Sequence, residues 1–145
     1  MLLEPRPEVV RLDWTTGQEF ILRDRFDFPI VMTQPAGVNG ADLLPLSVIG
    51  CSAWDIIAIL LKQKQQVQRF SVQAASQREI ESPWRFLAIH ITYRFTGTNL
   101  DEAKIRRAIS LTEDKYCSTY ATLRQAVKLT SEFEIIAAET IRGSE

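Results

Sequence analysis

Residues 43–61, LLPLSVIGCSAWDIIAILL, decide how the rest of the chain must fold. Almost every position in this stretch of 19 residues is apolar, so the sequence predicts a long central helix that is buried nearly all round. A membrane span has a similar length. However, Asp55 would cost about 2.5–3.5 kcal/mol at the middle of a bilayer, and Pro45 and Gly50 weaken that assignment further. We therefore expect the core helix of a soluble protein and no membrane association.

The composition is that of an ordinary globular protein. The chain has 145 residues, of which 46% are hydrophobic and 24% charged, and this predicts a single domain over residues 1–145. Its 17 basic and 18 acidic residues leave a net charge of −1, which does not indicate a nucleic-acid partner. Two cysteines do not make a disulfide framework, and the N-terminal MLLEPRPEVV lacks a signal-peptide pattern. We expect a cytoplasmic protein with reduced thiols.

Alternating apolar residues predict strands on both sides of the long helix. The turn signal Thr16-Gly17 predicts a hairpin between the first two strands. Strands that are joined by short connections and grouped apart from helices indicate an α+β fold with antiparallel pairing, in the order βββ–α–ββ–αα–β. The predicted strands are 9–14, 19–23, 28–32, 69–75, 86–95 and 129–137; the predicted helices are 41–66, 101–111 and a last one capped by Thr112.

The two cysteines are the most reactive side chains that the sequence offers. Cys51 follows Gly50 in the middle of the long helix, and Cys117 lies 66 residues later in the segment EDKYCSTY. A free cysteine is among the most buried residue types and often only packs in a core. The residues alone therefore leave two interpretations open: two cysteines that only pack in the core, or a redox-active pair.

Three segments resemble the OsmC/Ohr family, which comprises thiol-dependent organic hydroperoxide reductases and their relatives. They are DLLPLSVIGC at residues 42–51, the strand at 86–97, and LTEDKYC at 111–117. The resemblance extends over roughly residues 9–138. The chain looks closest to the branch in which the second cysteine follows a Lys-Tyr pair.

The resemblance implies the OsmC-like α+β fold, with antiparallel sheets wrapped around a long central helix. It also implies an intertwined homodimer in which the central helices of both chains pack inside. A second chain would cover the apolar helix, which a monomer of this size would struggle to do. Two active sites would then lie at the dimer interface.

The resemblance further implies a peroxidase. Cys51 would attack an organic hydroperoxide, and Cys117 would resolve the resulting sulfenic acid as a disulfide. A thiol reductant, either a lipoyl protein or a thioredoxin-like protein, would reopen that disulfide. The cycle needs no metal and no organic cofactor. Two alternatives stay open: a non-catalytic OsmC-like dimer that binds a small apolar ligand, and a redox sensor.

Activation of Cys51 calls for a further group, because burial raises the pKa of a thiol. Peroxide-reducing relatives use an arginine that is held by a carboxylate at the start of the central helix. Asp42 matches the position of that carboxylate, but the loop at residues 33–40 contains no arginine. Arg25 is therefore the predicted activating cation. The other cations considered are Arg23 and Lys115.

Three aromatic residues are candidates for contact with a bulky organic substrate. Tyr116 and Tyr120 lie close to Cys117 in the sequence and would form an apolar wall with polar tips. Trp54 lies about one helical turn after Cys51, although packing in the core or in a dimer is the favoured reading for it. The sequence thus predicts a cysteine pair, an Asp42–Arg25 pair and an aromatic wall.

Overall fold

The computed structural model describes residues 7–34 and 36–138. They form two compact units, one that ends at Leu44 and one that begins at Pro45. The predicted order of elements and the α+β class are both confirmed.

The first unit is a small antiparallel sheet. Its strands pair in the order β1–β2–β3, and Gly17 sits in the hairpin turn with a φ of +53°, which glycine adopts without strain. A short 3-10 helix follows, and the Asn39 side chain caps it by accepting a hydrogen bond from the Ala41 amide. The bounds are β1 Arg11–Thr16, β2 Glu19–Arg23, β3 Pro29–Met32, and Gly40–Asp42 for the 3-10 helix.

The long helix α1, Leu43–Lys62, is buried along one stripe only. Its fully buried residues recur every fourth position, as a single helix face requires: Val48, Ser52, Ile56 and Leu60. The opposite face is open, since Trp54 is 80% and Leu61 62% exposed. The expectation of a helix buried nearly all round is therefore wrong for a single chain, in which residues 7–34 and 36–138 bury only one face of α1. The length and apolar composition of α1 would also allow it to span a membrane, but the core helices of soluble proteins often meet the same two criteria.

The second unit contains a three-stranded sheet in the order β4–β5–β6. β4 and β5 are antiparallel, as predicted, but β5 and β6 run parallel, so the antiparallel prediction is wrong for that pair. The reason lies in the connection, because the chain leaves β5 and crosses back through three helical segments before β6 begins. The bounds are β4 Gln66–Arg78, β5 Phe86–Thr98, α2 Glu102–Leu111, a π-helical turn Thr112–Tyr116, α3 Ser118–Leu123 and β6 Lys128–Ala137.

The core of this unit is built on one face of β5. Side chains at alternate positions of this strand are fully buried: Ile89, Ile91, Tyr93 and Phe95. The Phe70 ring from β4 stacks on Phe95 with centroids 4.7 Å apart. The same cluster includes the buried stripe of α1 and also contains Cys117 and Tyr120, with Cys51 packed against it. The core therefore holds both cysteines in one region.

The start of α3 differs from the prediction. Thr112 does not cap it, because its backbone is helical and the chain continues into the π-helical turn, in which the Cys117 amide donates to the Thr112 carbonyl at 2.8 Å. Cys117 has an extended backbone and is itself the cap: its sulfur accepts a hydrogen bond from the Tyr120 amide at 3.4 Å. Cys117 is thus fixed by the backbone as well as by packing.

Candidate active site

Cys51 and Cys117 come together between α1 and the start of α3. Cys51 is half-buried and Cys117 is 2% exposed, and both are free thiols. Each sulfur lies beside the sequence neighbour of the other cysteine, since Cys51 Sγ is 4.0 Å from Ser118 Oγ and Cys117 Sγ is 3.3 Å from Ser52 Oγ. The structure therefore brings the two predicted cysteines into one site within the second unit.

The Cys51 thiol has a pKa below its ordinary value. Burial by itself raises the pKa of this thiol, but hydrogen bonds that favour the thiolate outweigh burial. The largest of these comes from Cys117, and the rest come from the backbone and side chain of Thr119 and from the side chain of Ser118. The Ser118 hydroxyl lies 4.0 Å from the Cys51 sulfur. Neutral donors therefore favour the thiolate form of Cys51.

Hydroxyl groups also surround Cys117. The buried Ser52 hydroxyl donates a hydrogen bond to the Cys117 sulfur at 3.3 Å. The Thr119 hydroxyl lies 3.3 Å from the same sulfur and donates to the carbonyl of Ser47. With the Tyr120 amide, these contacts hold the Cys117 thiol in one position.

A buried polar network continues from Ser52 into the core. The Ser52 hydroxyl lowers the pKa of Tyr93, and the Tyr93 hydroxyl donates a hydrogen bond to Glu113 Oε1 at 3.2 Å. Burial and then the Glu113 carboxylate raise the pKa of Tyr93. The same two causes raise the pKa of Tyr120, also hydrogen-bonded to Glu113, to about 12. Both phenols therefore stay protonated at neutral pH.

The three aromatic residues predicted to touch substrate occupy different surroundings. Tyr120 is buried, and the Glu113 carboxylate near its hydroxyl raises its pKa. Tyr116 is 50% exposed and borders a cavity of about 500 Å³, while Trp54 lies on the exposed face of α1. Substrate contact by these residues stays a prediction.

The predicted carboxylate and cation both belong to the first unit. Asp42 ends the 3-10 helix before α1 and is exposed. Arg25 forms an ion pair with Glu8, and its guanidinium lies 4.8 Å from the centre of the Phe26 ring. The role of Asp42 and Arg25 toward Cys51 stays a prediction. Lys115, the alternative cation, stacks over the Tyr116 ring at 5.5 Å.

Sequence reasoning missed Ser52, Tyr93, Glu113, Ser118 and Thr119. Two of them could have been found, because Ser52 and Ser118 each directly follow a cysteine. Glu113 belongs to the LTEDKYC segment. Because charged residues follow it there, the sequence has the pattern of a solvent-exposed surface at this position. Tyr93 alternates with core aliphatic residues, so its buried hydroxyl left no signal in the sequence.

A family model described as "OsmC-like protein" matches residues 33–132, which is more than half of the chain. The chain therefore belongs to the OsmC-like protein family. Among curated proteins it is similar to Protein YhfA of Escherichia coli K12, with 32% identity over 131 residues that cover 88% of this chain and 98% of YhfA.

Solved structures support the same fold. A hypothetical protein from Aquifex aeolicus VF5 superimposes with a TM-score of 0.82 at 24% identity, covering 93% of this chain and all of the other. The organic hydroperoxide resistance protein OhrB of Bacillus subtilis superimposes with a TM-score of 0.58 at 15% identity, covering 89% and 98%. At these identities the likeness establishes the OsmC/Ohr fold and nothing further.

Proposed function

We propose that this protein is a thiol-dependent reductase of organic hydroperoxides in which Cys51 attacks the peroxide and Cys117 resolves the product. The single observation that carries the proposal is that each cysteine lies beside the sequence neighbour of the other: Cys51 Sγ is 4.0 Å from Ser118 Oγ, and Ser52 Oγ is 3.3 Å from Cys117 Sγ. Membership of the OsmC-like family supports a redox role related to peroxides. The name of OhrB shows that a protein of this fold takes part in organic hydroperoxide resistance.

The first step requires a thiolate at Cys51. Its sulfur forms a bond to the outer peroxide oxygen while the O–O bond breaks, and the alkoxide takes up a proton and leaves as an alcohol. Cys51 is thereby oxidised to a sulfenic acid and the peroxide is reduced. The hydrogen bonds from Cys117, Thr119 and Ser118 assist by stabilising negative charge on the attacking sulfur.

The second step forms a disulfide. The Cys117 sulfur attacks the Cys51 sulfur, the S–O bond breaks, and water leaves. An external dithiol, of the lipoyl or thioredoxin-like class, then reduces the disulfide by exchange and becomes oxidised itself. No metal or organic cofactor enters this cycle. We place it in the cytoplasm, where thiols are kept reduced.

We also propose that the functional unit is a homodimer of a single OsmC-like domain. Exposed side chains on α1 form a continuous apolar stripe that includes Leu46, Gly50, Trp54, Ala58 and Leu61. A Cβ atom added at Gly50 would meet nothing within 4 Å, so a partner helix could approach closely there. Asp42 and Arg25, from either chain, would complete the site as a carboxylate and a cation.

The test adds cumene hydroperoxide to the fully reduced protein and counts free thiols. Wild type should lose both thiols, and dithiothreitol should restore them. Cys117→Ser should stop at a sulfenic acid that dimedone traps, whereas Cys51→Ser should keep its remaining thiol. Retention of both thiols by wild type over a range of hydroperoxides would reject the proposal.

A second candidate function is the binding of a small apolar ligand without turnover. The cavity of about 500 Å³ favours it, since Ala58, Ile59, Leu111 and Tyr116 form an apolar part of its lining beside the polar residues Asp55, Lys62 and Gln63. Ligand binding that is equally tight in Cys51→Ser and in wild type would favour this function. A redox sensor would instead form the disulfide without turnover and change its binding to a partner.

A further inference from the structure

The cavity of about 500 Å³ lies in the second unit, between the C-terminal half of α1 and the segment that joins α2 to α3. Asp55 from α1 and Tyr116 from the π-helical turn belong to its lining. Asp55 follows Cys51 by four residues and therefore lies on the same face of α1, and Tyr116 directly precedes Cys117. The cavity thus adjoins the candidate active site along both elements that carry the cysteines.

The two charged side chains of this cavity have opposite signs and are well separated. Asp55 and Lys62 are seven residues apart on the regular helix α1, which corresponds to two turns and about 10 Å along the axis. Within residues 7–34 and 36–138, neither side chain has an ion-pair partner. An occupant with a cationic end and an anionic end would pair with both of them.

The wall between the two charges is apolar and ends beside an unsatisfied acceptor. Ala58 and Ile59 lie between the charged residues on α1, and Leu111 borders the cavity from α2. Gln63 is also part of the lining, and its Oε1 atom is buried without a hydrogen-bond partner in the described part of the chain. A buried acceptor without a donor is costly, and an amide N–H of an occupant would supply that donor.

These features fit a short peptide better than an apolar molecule. An extended chain spans at most about 3.5 Å per residue, so a dipeptide or tripeptide brings its amino group toward Asp55 and its carboxylate toward Lys62. Its amide groups are donors for Gln63. A hydrocarbon, in contrast, would remove water from these three polar side chains and offer them no partner.

We propose that the hydroperoxides reduced by this protein include those of short peptides, which bind in this cavity with the amino end at Asp55 and the carboxyl end at Lys62. The inference rests on the proposed function and names a class of substrate for it. Because Asp55 is the cavity residue closest to Cys51 along α1, a hydroperoxide on the first residue of the peptide lies on the side of the cysteines. Asp55 and Lys62 bind the two ends of the substrate, and Cys51 remains the residue that reacts.

The reaction of a peptide hydroperoxide balances as a two-electron reduction. The Cys51 thiolate forms a bond to the outer peroxide oxygen, the O–O bond breaks, and the alkoxide takes up a proton and leaves as a hydroxylated peptide. Cys51 is oxidised to a sulfenic acid, and the hydroperoxide is reduced to an alcohol. Cys51 is half-buried whereas Cys117 is 2% exposed, so Cys51 is the sulfur that a substrate of this size reaches.

The experiment compares two hydroperoxides that have the same reacting group. One is carried by the leucine of leucyl-glycine with free ends, and the other by the same dipeptide after its amino end is acetylated and its carboxyl end amidated. The rate constant for the loss of free thiols is measured with each, and the readout is the ratio of the two. Wild type should react about 10 to 100 times faster with the free dipeptide, since a hydrogen bond to a charged group contributes about tenfold or more.

Asp55→Asn and Lys62→Met each remove one charge with little change in side-chain volume. Each should lower the ratio about tenfold, and salt at about 1 M should lower the wild-type ratio too, because it screens exposed ion pairs. The matched control is Lys64→Asn. Lys64 is exposed and lies outside the cavity lining, and its φ of +56° is one that asparagine tolerates. Its ratio should equal that of wild type.

Three results would overturn the peptide assignment and leave the proposed function in place. They are a wild-type ratio near one, equal slowing of both hydroperoxides in Asp55→Asn and Lys62→Met, and a lower ratio in only one of these variants. The second would indicate a structural role, and the third a substrate with a single charge. Retention of both thiols by wild type in every hydroperoxide would reject the proposed function and the peptide assignment together.

Discussion

The hydroxyl of Ser52 donates a hydrogen bond to the thiol of Cys117 at 3.3 Å. Ser52 directly follows the other cysteine, Cys51, in the sequence. Ser52 belongs to the buried stripe of α1, and Cys51 lies at the edge of that stripe. Two consecutive residues of one helix therefore contact two consecutive residues at the start of α3: Ser52 contacts Cys117, and Cys51 lies 4.0 Å from the Ser118 hydroxyl. This arrangement leads to the predictions below.

The pKa of Cys51 should depend on Cys117 more than on any other hydrogen-bonding neighbour. Cys117→Ala removes the largest contribution that lowers this pKa, so the Cys51 pKa should rise, because burial then acts with less opposition. Ser118→Ala removes the smallest contribution and should raise it less. The measurement is the pH dependence of Cys51 alkylation by iodoacetamide, with products resolved by peptide mass spectrometry. A rise in the Cys51 pKa that is equal in both variants, or larger in Ser118→Ala, would contradict the prediction.

Alkylation of Cys51 in the wild type should persist to lower pH than that of an ordinary cysteine. The sign follows from the lowered pKa, because a thiolate with a lowered pKa survives as the pH falls until that pKa is reached. The comparison is with a short peptide that contains one cysteine, under identical conditions. Coincident pH profiles for protein and peptide would contradict the prediction.

Ser52→Ala should lower the free energy of unfolding by about 1–3 kcal/mol, since it removes a buried donor between Cys117 and Tyr93. Urea denaturation of the reduced protein, followed by tryptophan fluorescence, measures this loss. Ser71→Ala on β4 is the matched control, because Ser71 is exposed and its loss should change stability by no more than about 0.5 kcal/mol. Equal changes in the free energy of unfolding for the two substitutions would show that the buried Ser52 hydroxyl stabilises the protein no more than the exposed Ser71 hydroxyl does.

Trp54→Glu should convert the proposed dimer into monomers. The side chain lies in the middle of the exposed apolar stripe of α1, so a charge there would have to be buried without a partner. Sedimentation velocity at micromolar concentration measures the mass. Trp84→Glu introduces the same charge at an exposed tryptophan in the β4–β5 connection and should leave the mass unchanged. An unchanged mass for Trp54→Glu, or a monomeric wild type, would reject this interface.

Gly97→Ala should destabilise the second unit by about 1–3 kcal/mol through overpacking. A Cβ at this position in β5 would lie 2.2 Å from the Gln66 carbonyl oxygen and 3.1 Å from the Leu100 side chain. The backbone oxygen belongs to β4 and can move only if the strand pairing shifts. Thermal denaturation checks the prediction, and a melting temperature equal to that of wild type would refute it.

The sequence predicted the elements that depend on local pattern. Alternation identified the strands, and the long apolar run identified α1. The helix predicted at 101–111 is α2, and its N-cap is Asp101, whose side chain accepts hydrogen bonds from the Ala103 and Lys104 amides. The parallel pairing of β5 and β6 could not be predicted, because it depends on the path of the whole crossover. The π-helical turn was missed because its residues have the pattern of an ordinary helix.

For the site, the cysteine pair was predictable and its activation was not. The sequence analysis looked for a cation, since burial alone raises the pKa of Cys51. Neutral groups of Cys117, Ser118 and Thr119 lower that pKa. These contacts join residues about 65 positions apart, and no local pattern records them.

The crossover between β5 and β6 also determines when the Cys51 thiol acquires its lowered pKa. Cys51 is made early, but its main hydrogen-bonding partner sits on the connection between the last two strands of the sheet. A nascent chain that has not yet closed that connection carries a thiol without these donors. The lowered pKa of Cys51 is therefore acquired only when the segment that follows β5 has folded against α1.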